Sequence, residues 1–216
     1  QVGFLSRAEV EALLAAPDQH SWSGRRDHAL LLVAIQGGLR LSELTAMRRE
    51  GLILGTGAHI RVLGKGRKER ATPLTKQTVA VLKAWLREIP DRAEATVFPS
   101  TRGKPLSADG VQYLLAKHVA AASKTCPSLQ QKRVTPHMLR HTTAMELLLA
   151  GMDRALIALW LGHESAAVLA VVAFYPPQSK VKLGLDLQGG VHLVLRVNTE
   201  DALELAATAS AGAHGH

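Results

Sequence analysis

The chain has one cysteine in 216 residues, two tyrosines and no apolar run long enough to cross a bilayer. The lone thiol, Cys126, excludes an internal disulfide and leaves no cysteine cluster for zinc. It fits a reducing compartment. The apolar run 166–174 is about half of the ~20 residues a spanning helix needs and reads as a buried helix, so no membrane partner is expected. The opening "QVGFLSRAEVEALLAA" lacks a basic segment followed by an apolar one, so no secretory leader is expected. Acidic residues are also in short supply. Asp and Glu number 18 against 26 Lys and Arg, which leaves a net charge of +8.

About half the residues are apolar and a fifth are charged, as in an ordered globular protein. The length suits one sizeable domain, or a domain with a small appendage. The basic excess points to a polyanionic partner, nucleic acid first and an anionic membrane surface second. Residues 176–216 carry a balance of −1, so the first 175 residues hold +9 and the basic surface with it. The ending "ASAGAHGH" is small and polar, and is expected to fray.

Helix signals dominate, and there are no internal repeats. Ser6 and Glu9 form a capping box, with Val10, Leu13 and Leu14 at helical spacing, which predicts a helix over 6–16. A more buried helix is expected over 25–36, stopped by Gly37-Gly38, then a short one over 42–49 capped by Ser42. "HIRVLGKGRKERATPL" alternates around a Gly-Lys-Gly turn and predicts a β-hairpin, 59–63 with 69–73. Thr75 starts a helix with the stripe Val79, Leu82, Leu86 and Ile89, ended by Pro90. "TVFPSTRGKPLS" reads as a short strand and loop, and Ser107 caps a helix to about 123. After a basic loop, 124–134, Thr135-Pro136 opens a helix to about 150. Gly151 ends it, and Asp153 caps a last helix to 161.

Basic residues sit at the edges of these elements. Arg40 follows the Gly-Gly break and Lys65 lies at the hairpin tip. His137 and Arg140 are one helical turn apart near a helix start, and His163 follows Leu161-Gly162 at a helix end. His137 and His141 have the spacing of zinc-protease ligands, but Met138 stands where that motif needs glutamate, and Arg140 would repel a cation. Arginines, a lysine and histidines without carboxylate ligands suit a phosphodiester, whose substitution loads charge onto non-bridging oxygens. A lysine or histidine can move the leaving group's proton. The missing component is a nucleophile, and a tyrosine hydroxyl can supply one.

"GLRLSEL", "VLGKGRKERATPL", "TPHMLRHTTAMELLLAG" and "LGHES" together resemble the landmark boxes of the tyrosine recombinase (phage integrase) catalytic domain, in order and near the family's spacing, over residues 4 to 165. The resemblance implies a mixed α/β, mainly helical fold with a small antiparallel sheet. It implies that Arg40, His137 and Arg140 grip the scissile phosphate, that Lys65 is the general acid and that His163 hydrogen-bonds the phosphate. A tyrosine would form a 3′-phosphotyrosyl link, with no metal and no cofactor. Partners would be double-stranded DNA and further copies of the chain, a tetramer on DNA, in the cytoplasm of a bacterial cell beside its nucleoid. The family's tyrosine lies nine residues after the LGH histidine, where this chain has Val172, whereas Tyr175 comes three residues later. Tyr113, between apolar neighbours in mid-helix, reads as core, which leaves Tyr175 as the candidate nucleophile. Three functions stay open: strand exchange, a DNA-binding domain that keeps the phosphate grip without cleavage, or another basic-protein role such as metal hydrolysis or an export accessory. Residues 1–175 are expected to form the catalytic domain, without the family's N-terminal core-binding domain. Residues 176–216 form an atypical tail, in which "KVKLGLDLQGGVHLVLRVNTEDAL" resembles a periplasmic segment of the protein-export subunit SecD.

Overall fold

The computed structural model describes residues 3–63 and 69–162. The expected hairpin tip with Lys65, residue His163, the apolar run 166–174 with Tyr175, and the whole tail lie outside them.

A long helix, α2 (Trp22–Gly37), forms the centre. Its residues Leu30 to Ile35 are all buried, so the helix is apolar on every side, as one packed on several neighbours must be. It packs against α1 (Arg7–Ala15), α4 (Lys76–Leu86) and α6 (Pro136–Leu149). The helix starts three residues before the expected position because the Ser21 hydroxyl accepts from the Gly24 N–H and supplies the cap. Around it lie the short α3 (Leu41–Thr45), α5 (Ala108–Ala122) and α7 (Arg154–Leu161).

The hairpin forms in the expected register. Strand β2 (His59–Leu63) pairs antiparallel with β3 (Glu69–Pro73), His59 opposite Pro73 and Leu63 opposite Glu69. A third strand, β1 (Leu52–Ile53), adds to the β2 edge and makes a three-stranded antiparallel sheet. At two residues β1 is too short to show alternation. The expected strand near 96–98 is instead two isolated bridges, Arg48 with Thr96 and Pro99 with Pro105. Prolines there cannot donate to a continuing ladder.

Helix ends follow their caps. Ser6 and Glu9 form the capping box of α1, and Thr75, Ser107, Thr135 and Asp153 cap α4, α5, α6 and α7. The expected Ser42 cap is replaced. The α3 helix begins one residue earlier, at Leu41, because the Glu43 carboxylate accepts the Arg40 N–H at 2.7 Å. Tyr113 is not core: it is 71% exposed. Its apolar neighbours in sequence point elsewhere on the helix, since each residue turns by about 100°. The buried face of α5 is Val111, Leu115, His118 and Ala122. His118 meets a buried pair there, its Nε2 donating to Asp27 at 2.8 Å while Arg26 donates to the other carboxylate oxygen. Among the described residues no helix is long and apolar enough to cross a membrane.

The turn after α2 brings two distant segments together. Gly38 caps α2 with φ +59°, and a Cβ there would lie 2.5 Å from Leu161 and 3.1 Å from Thr143. The Thr143 hydroxyl donates to Ile35 O, which draws α6 against this end of α2. Gly38→Ala therefore meets a left-handed backbone and a crowded site, and is expected to cost about 2 kcal/mol. Urea unfolding checks this; a loss below about 0.5 kcal/mol would contradict the packing described.

Candidate functional site

Three guanidinium groups gather beside the C-terminal end of α7, two of them bonded to one carboxylate. Arg40 precedes α3, Arg70 comes from β3 and Arg140 from the second turn of α6. Glu43 lies between them, its side chain 6% exposed. Arg70 grips it as a fork, Nη1 to Oε1 at 2.8 Å and Nη2 to Oε2 at 2.7 Å. Arg40 adds its backbone N–H at 2.7 Å and its Nη1 at 3.1 Å.

The same guanidinium groups terminate α7. The last carbonyls of a helix have no partner within it and carry its negative end. Here three consecutive ones are taken by three different arginines. Arg70 Nε donates to Trp160 O at 3.1 Å, Arg140 Nη2 donates to Leu161 O, and Arg40 Nη2 donates to Gly162 O at 2.7 Å. Arg140 Nη1 also donates to Gly38 O at 2.5 Å, so two helix ends meet at its side chain. Gly162 has φ +63°, a turn that suits glycine, and His163 is the next residue in the chain.

Three positive charges against one negative leave this cluster at +2. Burial of Arg140, then the nearby Arg40 and Arg70, push its pKa down to about 10 against the pull of Glu43. It stays charged at neutral pH, in a place where a further anion would be welcome. Burial by itself would raise the Glu43 carboxyl, but hydrogen bonds from Arg70 and Arg40 hold it below its ordinary 4.5. Glu43 is therefore an anion that the site keeps.

Of the expected site residues, the structure brings Arg40 and Arg140 together. His137, also on α6, is exposed, and its Nε2 lies 2.7 Å from Nε2 of His141 with the rings edge to face. Lys65, His163 and Tyr175 fall outside the described residues. Sequence reading did not single out Glu43 or Arg70. The spacing from Arg40 to Glu43 was visible in "GLRLSEL", but Arg70 looked like one more cation in a basic hairpin.

The comparisons agree with this architecture. The model of the phage integrase family matches residues 3–172. The chain belongs to that family. A protein named as an integrase/recombinase, y4rC, of Sinorhizobium fredii is 64% identical over 164 residues, which are 76% of this chain and 49% of that protein. The tyrosine recombinase XerD of Vibrio cholerae is 33% identical, over 77% of this chain and 55% of its own length. This integrase-family chain thus spans about half the length of these relatives. Among solved structures, the XerA recombinase superposes with a TM-score of 0.67 at 26% identity, covering 80% of this chain and 60% of that one. XerH recombinase bound to its difH substrate superposes at 0.64 and 25% identity, covering 80% and 50%. The fold is the tyrosine recombinase catalytic fold. A second, short family model, the SecD/SecF GG motif, matches residues 177–201.

The histidine pair makes stability depend on pH. Burial, then His137 and Arg140, lower the His141 pKa below its ordinary 6.5. The folded ring thus stays neutral where the unfolded one takes a proton, so the unfolded state binds more protons and stability falls as pH drops through 6.5. His141→Gln is expected to flatten the change in urea midpoint between about pH 7.5 and about pH 5.5. Equal slopes for the two proteins would show that His141 does not contribute.

Proposed function

We propose that this chain carries the catalytic domain of a site-specific DNA recombinase that cuts and rejoins strands through a phosphotyrosyl intermediate. The observation that supports it best is the +2 guanidinium cluster built against the end of α7, one residue before His163, in a member of the integrase family. In this reading Arg40, His137 and Arg140 hold the scissile phosphate of double-stranded DNA. Fixed guanidinium groups act most strongly when the phosphate gains charge in the transition state. The Tyr175 oxygen attacks phosphorus as its proton passes to a histidine of the site, the bond to the 5′ oxygen breaks, and Lys65 gives that oxygen its proton. His163 hydrogen-bonds the phosphate. A 5′ hydroxyl from a second strand then reverses the step and releases the tyrosine, so the energy of the broken bond is kept. Neither a metal nor a cofactor takes part. Four copies on DNA would exchange strands in the cytoplasm, with residues 1–175 as the catalytic domain and 176–216 as a separate SecD-like tail.

One observation favours a second reading. Val172, not tyrosine, stands nine residues after His163, and Tyr175 is three residues further on. A displacement of three residues is large where about 1 Å matters to rate. The chain would then bind DNA without cleaving it.

A nicked duplex that loses a short fragment on cleavage separates the two. Strand exchange predicts an SDS-stable protein–DNA adduct that is lost in Tyr175→Phe and reduced at least about 100-fold in Arg140→Ala. Salt-dependent binding without an adduct would support the binding-only reading. An adduct that survives Tyr175→Phe would overturn the nucleophile assignment, and cleavage that requires a divalent metal would overturn both readings.

A further inference from the structure

We propose that Arg70 is the positioning residue of this site: its fork fills two acceptor positions of Glu43 and ties the end of α7 to the cluster, so that the remaining N–H groups of Arg40 and Arg140 can meet the phosphate. The inference rests on the recombinase reading and extends it to a residue outside the expected site.

An ionised carboxylate offers about four acceptor positions. At Glu43 all are taken: two by Arg70, one by the Arg40 backbone N–H and one by Arg40 Nη1. The planar guanidinium fits both oxygens at once, which a lysine cannot do. Without Arg70, two acceptor positions would open in a place almost closed to water. Arg40 and Arg140 are the cations near enough to fill them, and the charge of the cluster would drop from +2 to +1. A carboxylate seeking partners there competes directly with a phosphate for the same donors.

Arg70 also belongs to three elements at once. It stands on β3, five positions after Lys65 in the sequence, and it grips Glu43 of α3 and Trp160 O of α7. A Cβ on Gly162 would lie 2.9 Å from the Arg70 Cδ and Nη1. The guanidinium therefore packs onto the turn that leads into His163. Its side chain is 11% exposed against 38% for Arg40, so of these two Arg40 is the more open to solvent.

The test compares wild type, Arg70→Met and Arg70→Met/Glu43→Gln in the full chain, binding a fluorescent 30-base-pair duplex over a salt series. It is run where circular dichroism shows each protein folded. Arg70→Met is expected to weaken binding at least about tenfold and to reduce the log–log salt slope by about one, as one phosphate contact is lost to Glu43. Adding Glu43→Gln removes the competing charge, and is expected to restore affinity to within about threefold and the slope to its original value. If Arg70→Met does not fold, Arg70→Lys keeps the charge and loses the fork; the same weakening and the same rescue are expected.

Wild-type affinity and slope in the folded Arg70 variant would overturn the proposal, since a purely structural residue gives that result. A slope that stays shallow in the double variant would also overturn it, because Arg70 would then itself contact phosphate. Wild-type protein without salt-dependent binding would remove the recombinase reading and this inference together, whereas a normal wild type with an indifferent Arg70 variant removes only the inference.

Discussion

A single buried carboxylate holds the rest of the site in place. Glu43 closes the first turn of α3 by accepting the Arg40 N–H, and through its two oxygens it sets the directions of Arg40 and Arg70. A carboxylate this deeply buried would be costly alone, and is tolerated because every acceptor position is filled by a charged or backbone donor. The arginines need it equally. Three guanidinium groups within one small volume repel each other: burial first, and then Arg40 and Arg70, hold the Arg140 pKa below its ordinary value. One anion reduces that repulsion without removing the net positive charge.

The second support is the peptide backbone. Carbonyls at the ends of α2 and α7 take donors from all three arginines, so the negative ends of two helices share the electrostatic load with Glu43. This arrangement needs the two helix ends to come close. Gly38 makes that possible at α2, where there is no space for a Cβ beside Leu161, and Gly162 does the same at α7 against Arg70. The buried α2 supplies the fixed reference for both. Packing, glycine turns and ion pairing thus lead to one result: guanidinium groups oriented by the chain's own carboxylate and carbonyls.

Much of this was legible from residue order. Caps at Ser6, Thr75, Ser107, Thr135 and Asp153 act through neighbours two or three residues away, so the helix starts could be read locally. The hairpin register followed from its alternation. What depended on tertiary contact was not legible. Ser42 looked like a cap, but the Glu43 carboxylate reaches back to the Arg40 N–H, and α3 starts a residue earlier. Tyr113 looked like core because its neighbours in sequence are apolar, but the helix turns it to solvent. The expected phosphate-binding arginines, Arg40 and Arg140, were visible because the integrase motifs mark them. Arg70 was not, because its role depends on a carboxylate 27 positions earlier and a carbonyl 90 positions later.

The central claim is that Arg40 and Arg140 form a preorganised phosphate site. The most direct measurement is NMR of the arginine side-chain Nε–Hε groups during titration with a short DNA duplex, repeated at high salt. The account predicts salt-reversible shifts for Arg40 and Arg140, and none for Arg26, which is buried against Asp27 away from the cluster. Arg40 and Arg140 signals that stay unmoved while DNA binds elsewhere on the protein would contradict it.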